Sequence, residues 1–315
     1  MSHDFKQDAS NLYRKQGEES LAKFAKLYLR HHVTIEPSAA HLKIYDTLLS
    51  ITHDRGKKIA IAAPRDFGKS TLVTLVYLTY LICYSKERFI VVVSNTASQA
   101  VAILENLRKE LTENELLRRD FPEIFEAEGR PKAPKWKQND IITRNGIEVL
   151  ALGYGQQIRG RKFGAKRPTV VIMDDLESGE NQFTLESKEK MKRWLNGSVL
   201  KVGSEGTNYL FIGTVHHALS LLAEYLKDES DPVWTGMRFR AIQEWPKSMD
   251  LWATYHNIRY GRDIYGRVSG PDAALRFYSD YKHRMDEGAS LLWDKKWDLR
   301  RLMDLFGENV SSFMS

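Results

Sequence analysis

The sequence predicts an α/β fold: a three-layer sandwich with a mostly parallel central sheet, followed by a small helical subdomain. Three observations carry this expectation. Short apolar runs at 57–63, 88–94, 169–173 and 207–214 alternate with stretches of helical period. These runs are rich in β-branched residues and continuously apolar, as strands covered on both faces must be. After Trp245 the strand-like runs stop, and Trp, Tyr, Arg and Asp dominate a helical pattern.

The elements follow in order. Residues 1–35 read as a polar, helix-prone arm whose apolar stripe is Leu21, Phe24, Ala25, Leu27, Tyr28 and Leu29. A helix over 39–51 begins after Pro37 and Ser38, with Leu42, Tyr45, Leu48 and Leu49 at helical spacing. The turn Asp54-Arg55-Gly56 leads into a buried strand over 57–63, a loop over 64–68, and a helix from Lys69 to about Tyr84. RFIVVVS, Arg88 to Ser94, is the second strand. Thr96 followed by Gln99 is a capping box that opens a helix to about Glu113. Prolines 122, 131 and 134 break up 120–140, and Asn145-Gly146 marks a two-residue hairpin. A strand over 169–173, a helix over 185–200, a strand over 207–214 and a helix over 218–227 complete the alternation. Met237 to Ile242 is a last strand, and 275–285 and 296–306 are helices. The domain boundaries expected are an N-terminal arm 1–35, a core 36–245 and a helical lid 246–315.

The chain has 315 residues, 42% hydrophobic and 28% charged, so it can bury a core. Its single cysteine, Cys83, excludes an intramolecular disulfide. The N-terminus lacks the apolar segment of a secretion signal, and the longest apolar run, Leu72 to Cys83, falls short of the roughly 20 residues needed to span a bilayer. An intracellular, non-membrane protein is expected. The net charge of +6 permits an anionic partner without requiring one.

Ala63-Pro64-Arg65-Asp66-Phe67-Gly68-Lys69-Ser70-Thr71 matches the phosphate-loop pattern G-x-x-x-x-G-K-S/T, with Ala63 replacing the first glycine. The expected strand before it and helix after it supply the required context. Pro64–Thr71 is the candidate nucleotide-binding loop: the backbone N–H groups of Arg65–Thr71 and the helix N-terminus would face phosphate oxygens, with Lys69 on the β- and γ-phosphates. Ser70 would offer its hydroxyl to Mg²⁺. Arg65 is either a solvated loop arginine or a second cation on the nucleotide.

The strand Val170-Val171-Ile172-Met173 ends in Asp174-Asp175-Leu176-Glu177. Acids at the carboxyl edge of such a sheet are where a P-loop protein places its metal and water groups. Asp174 is the metal candidate; Asp175 or Glu177 is the candidate base. The strand–helix pair 88–113 between loop and acids points to the P-loop branch with an extra central strand and a catalytic carboxylate. N-K-x-D is absent, against a GTPase. Thr214, ending Leu210-Phe211-Ile212-Gly213, is the candidate γ-phosphate sensor. His216-His217 reads as a surface or packing pair, since no third ligand stands nearby. Arg159, Arg161, Lys162, Lys166 and Arg167, spaced by Gly160 and Gly164, form a basic loop. It is either solvated, or touches phosphate in a neighbouring subunit, or grips a DNA backbone.

In that order, the phosphate loop with Arg65, the Arg159-Gly160 pair, RPTVVIMDDLES from Arg167 and YLFIGTVHH from Tyr209 resemble the large terminase subunit of tailed bacteriophages, over about 35–245. The resemblance implies a RecA-like ATPase with a helical lid, using ATP and Mg²⁺. It implies translocation of double-stranded DNA into a procapsid by a ring of subunits, usually five, docked on the portal protein in the host cytoplasm. It further implies contact with a small terminase subunit. On this view Arg65 acts on the nucleotide, Arg159 or Arg161 acts across a subunit interface, and Thr214 couples hydrolysis to movement. Lys162, Lys166 and Arg167 are candidate DNA contacts. Pro37 and His41 lie where such ATPases place an adenine-binding element. The family's base is usually Glu directly after the metal aspartate; here that position is Asp175. Large terminases also carry a nuclease domain, and no acid set of that kind follows Glu177, so this chain is expected to be the ATPase part without nuclease activity. The alternative is a helicase-like or other ring ATPase acting on nucleic acid, although 246–315 is too short for a second RecA-like domain.

Overall fold

The computed structural model describes residues 2–125, 135–158, 167–177, 184–217, 219–227, 233–261 and 269–308. The chain divides into two units, 1–34 with 41–238, and 35–40 with 239–315.

The larger unit opens with α1 (Ser2–Glu19), α2 (Leu21–Tyr28) and α3 (Ala39–His53). Ser20 caps α2 by accepting from Lys23 N, and the stripe residues Leu21, Phe24, Ala25 and Tyr28 are buried. The N-terminal segment packs onto this unit rather than standing apart. Arg14 lies 4.6 Å over the Phe121 ring and donates to Asp120 O, while Tyr28 Oη donates to Asp120 Oδ2 at 2.9 Å.

After β1 (Lys58–Ala62), a helix opens at Lys69, widens into a π-helical stretch over Thr71–Tyr77 and continues as α4 (Leu78–Cys83). Helical period and the phosphate-loop pattern located this helix, but the π stretch had no signal in the sequence. Then come β2 (Phe89–Ser94), α5 (Ala97–Glu113), α6 (Glu115–Asp120), β3 (Lys135–Lys137), β4 (Asp140–Ile142) and β5 (Glu148–Gly153). The capping box forms: Gln99 N donates to Thr96 Oγ1, and Thr96 N to Gln99 Oε1, both at 3.2 Å. The β4–β5 hairpin differs in detail from the two-residue expectation. Gly146 N donates to Thr143 O at 2.9 Å, so the turn centres on Arg144-Asn145. Gly146 alone takes the left-handed conformation, at φ +80°.

The unit closes with β6 (Val170–Asp174), α7 (Leu185–Trp194), β7 (Asn208–Gly213), α8 (Leu221–Tyr225) and β8 (Trp234–Arg238). The single strand expected over 237–242 is not formed: β8 ends at Arg238, and a separate short strand begins at Ile242 in the smaller unit. Among the described residues the main sheet has eight strands in the order β3-β4-β5-β2-β6-β7-β1-β8. Strands β5, β2, β6, β7, β1 and β8 are parallel; β3 and β4 add an antiparallel edge. The strand that separates β1 from β6 in space is β7. The intervening pair 88–113 instead lies on the far side of β6, because β2 pairs with β6 and β5. One face buries Val91, Val93, Met173, Phe211, Leu221 and their neighbours in a continuous apolar cluster.

The smaller unit has β9 (Ile242–Glu244), α9 (Met249–Arg259), α10 (Pro271–Asp286), β10 (Ser290–Leu291) and α11 (Leu299–Glu308). It is not wholly helical: β10 pairs antiparallel with β9. Trp252, Tyr255, Tyr278, Met285 and Met303 form its core. The indole of Trp252 donates to Met285 O at 2.8 Å, and Tyr255 Oη to the buried Asp304 at 2.7 Å. Among the described residues no helix is long and apolar enough to cross a membrane.

Candidate nucleotide site

Register places the phosphate loop and the acids on one edge of the sheet. Ala62 of β1 pairs with Gly213 of β7, and Asp174 of β6 with Ile212 of β7. With strands about 4.8 Å apart, the ends of β1 and β6 lie about 10 Å apart across β7. Ala63 N donates to Gly213 O at 3.2 Å, holding the loop's root to β7.

The loop turns by two left-handed residues, Asp66 at φ +61° and Gly68 at φ +87°. Gly68 tolerates this without strain, and Asp is among the few other residue types that adopt it at modest cost. Ala63 is not left-handed, so the missing first glycine is not required there for backbone conformation. Phe67 is fully buried, and the His41 ring stacks on it at 3.9 Å and 22°. His41 Nε2 lies 3.0 Å from Phe67 O; a carbonyl only accepts, so Nε2 carries the proton. His41, considered from sequence as an adenine contact, is therefore buried as a brace for the phosphate loop.

Lys69 is buried, and its Nζ donates to Thr214 Oγ1 at 2.8 Å and to Pro64 O at 3.2 Å. Burial lowers its pKa, opposed by Asp175, Asp174 and Asp66. Ser70 Oγ donates to Asp174 Oδ1 at 3.1 Å. Asp174 is 4% exposed, and burial, reinforced by Asp175, raises its carboxyl to about 7 against the pull of Ser70 and Lys69. A buried carboxylate and a hydroxyl side by side form a hard-oxygen pair that fits Mg²⁺.

Asp175 is half-buried and left-handed at φ +44°, its N–H bonded to Ile212 O at 3.0 Å. Gly213 makes room for it: a Cβ there would lie 3.2 Å from Asp175 Oδ1. Glu177 is arranged differently. Its Oε2 accepts from Ser220 Oγ at 2.6 Å and Leu222 N at 3.0 Å, and its Oε1 from Leu221 N at 2.6 Å. Both oxygens thus bind the start of α8. Ser220 before an apolar run was readable as a cap, but its partner 43 residues earlier was not. His216 is half-buried, and burial lowers its pKa against the field of Asp175.

Sequence candidates Lys69, Ser70, Asp174, Asp175 and Thr214 meet at this edge, with Arg65 exposed on the loop. Arg159, Arg161, Lys162 and Lys166 lie outside the described residues. Arg167 stands before β6, at the opposite edge, and donates to Gly203 O at 3.0 Å. That is on the order of 20 Å from Asp174 along the strand. Arg167 thus lies at the edge of the sheet opposite the nucleotide site.

The strand order β8-β1-β7-β6-β2, with a phosphate loop after β1 and acids after β6, defines a RecA-like P-loop fold. Solved structures to which this chain is similar include phage large terminases. The large terminase of bacteriophage HK97 is 17% identical at a TM-score of 0.42, over 78% of this chain and 49% of that one. The ATPase domain of the Thermus phage P74-26 large terminase is 17% identical at 0.40, over 79% and 94% respectively. A large terminase from a thermophilic bacteriophage, solved with ADP, is 14% identical at 0.40, over 65% and 46%. The chain thus spans about half the length of the first and third of these proteins. No family model and no curated protein matches.

Proposed function

We propose that this chain is the ATPase of a viral DNA-packaging motor, hydrolysing ATP to translocate double-stranded DNA. The convergence of Lys69, Thr214, Ser70, Asp174 and Asp175 on one sheet edge carries the ATPase reading. The packaging reading rests on the ordered terminase-like motifs of the sequence.

Lys69, held by Thr214 and Pro64 O, neutralises the β- and γ-phosphates. Arg65 adds a second charge from the exposed loop. Ser70 and Asp174 would hold Mg²⁺, which when bound would offset the negative charge developing on the phosphates. Asp175 orients and deprotonates the attacking water, because both Glu177 oxygens already accept hydrogen bonds from α8. Thr214, bonded to Lys69 and one residue beyond β7, registers the γ-phosphate state. Arg159 or Arg161 completes the site of a neighbouring subunit in a ring, and Lys162, Lys166 and Arg167 contact DNA phosphates. The portal protein and a small terminase subunit are the further partners, in the host cytoplasm.

The test is ATP turnover by wild type, Lys69→Ala and Asp175→Asn, with nucleotide binding measured in parallel. Expected are loss of binding in Lys69→Ala, and retained binding with turnover reduced about 10²–10⁴-fold in Asp175→Asn. Turnover that survives Lys69→Ala overturns the phosphate-loop assignment. Packaging is tested separately, by duplex translocation with portal-bearing procapsids; strand separation of a forked duplex without packaging would favour a helicase instead.

A further inference from the structure

We propose that His31, His32 and Glu110 form a binding site for a borderline divalent transition-metal ion, with zinc as the best fit. The site is independent of the nucleotide edge and of the function proposed for it.

Successive residues of a strand point to opposite faces, so a His-His pair in a strand cannot converge. Here the pair follows the end of α2 in a turn, closed by His32 N donating to Leu29 O at 2.9 Å. The turn brings both imidazoles to one side, with ring centroids 4.3 Å apart. Both Nε2 atoms lie 2.9 Å from the same oxygen, Oε1 of Glu110 on α5. The three ligand atoms all fall within 4.8 Å of one another.

The carboxylate is built into the fold rather than hanging from the surface. Glu110 is 4% exposed, and its other oxygen accepts from Asn114 Nδ2 at 2.7 Å. That amide also donates to Tyr28 O at 2.8 Å, and its Oδ1 accepts from Leu116 N and Leu117 N. Asn114 is thus held on every side, and it orients Oε1 toward the histidines, as outer-shell groups do around protein metal sites. The imidazoles are reachable from solvent: the His31 and His32 side chains are 51% and 33% exposed.

Two imidazoles and one carboxylate suit zinc, cobalt, nickel or copper, and suit Mg²⁺ poorly. A tetrahedral ion with bonds of about 2.0–2.1 Å holds its ligands about 3.3–3.4 Å apart. The N–O separations therefore need to open by only about 0.5 Å, through rotation of two exposed rings. The ion takes the place of the Nε2 protons shared with Glu110, and Nδ1, rather than Nε2, then carries the proton on each ring. Bound there, it ties the turn after α2 to α5, and so fastens the N-terminal helices to the rest of the larger unit.

The experiment uses the full chain without a histidine tag, stripped with chelator. Zinc is titrated against a chromogenic competitor in millimolar Mg²⁺, alongside thermal melts and the visible spectrum with cobalt. Expected are one zinc per chain not displaced by Mg²⁺, a raised melting temperature, and a cobalt band typical of low coordination number. The double variant His31→Ala/His32→Ala, on an exposed turn, should fold and bind at least about tenfold more weakly. Zinc binding of unchanged affinity in that variant, or no stoichiometric binding by wild type, overturns the proposal. Glu110→Gln, which keeps the side chain's shape, should also lose the tight site.

Discussion

Glu177→Ala should cost stability before it costs chemistry. The wild-type carboxylate accepts from Ser220 Oγ at 2.6 Å, Leu221 N at 2.6 Å and Leu222 N at 3.0 Å. Leu221 and Leu222 are 0% and 1% exposed, so truncation strands their N–H groups away from water. A buried donor left unpaired costs about 1–3 kcal/mol, and hydrogen bonds to a charged partner are worth about 1.5–3 kcal/mol each. Allowing for non-additivity and a water entering the space, the loss is about 3–5 kcal/mol. For a unit of this size that lowers the melting temperature by roughly 6–20 °C. Glu177→Gln keeps one good acceptor but turns an amide N–H₂ toward other donors, at about 1–3 kcal/mol. The assay is urea unfolding followed by fluorescence, paired with ATP turnover on protein shown to be folded. Turnover per folded Glu177→Gln molecule should stay within about tenfold of wild type, well short of the 10²–10⁴-fold expected for loss of a general base. An unchanged urea midpoint in Glu177→Ala refutes the capping role. A folded Glu177→Gln with turnover abolished, alongside an active Asp175→Asn, refutes the assignment of Asp175 as base.

Other outcomes follow from the same geometry. His41→Ala removes the ring stacked on Phe67 and the bond to its carbonyl, and should cost about 2–4 kcal/mol and weaken nucleotide binding more than it slows turnover at saturation, as read by calorimetry and kinetics. Asp174 is raised to about 7, so between pH 4 and 7 the folded chain holds a proton that the unfolded chain has lost. Stability should therefore fall as pH rises through that window, by an order of 4 kcal/mol when complete above 7. Over the same window Mg²⁺ binding at the proposed site should tighten with pH and release a proton, and a flat pH profile by calorimetry in buffers of different ionisation heat would refute this. Gly153→Ala would put a Cβ 2.5 Å from Ala97 N, against the backbone that opens α5. It should destabilise by about 1–3 kcal/mol, measured as a lower urea midpoint.

Most elements were legible locally because their signals are local. The runs KIAIA, FIVVVS, VVIMD and NYLFIG are all buried strands, as continuous apolar, β-branched runs require. The Thr96–Gln99 capping box involves residues three apart and forms as expected. The phosphate-loop pattern located Lys69 and Ser70, and the acids after β6 located Asp174 and Asp175, because strand direction delivers all of them to one edge. Boundaries that depend on pairing were less legible: β8 ends at Arg238 because it pairs with β1, and no local signal states that register. The small β9–β10 pair was missed because two- and three-residue strands lack a period.

The sequence by itself determined the alternation of strands and helices and the chemistry available at their ends. Those features depend on side-chain period, backbone propensity and residue type, all readable within about ten residues. Only the tertiary structure decided which partners those groups meet. It set β7 between β1 and β6, turned Glu177 to the start of α8, folded His41 under the phosphate loop, and brought His31 and His32 to Glu110. Each of these pairings joins residues between 26 and 79 positions apart or depends on strand order. Such contacts are selected by burial and hydrogen-bond satisfaction across the whole core, which no local window of sequence contains.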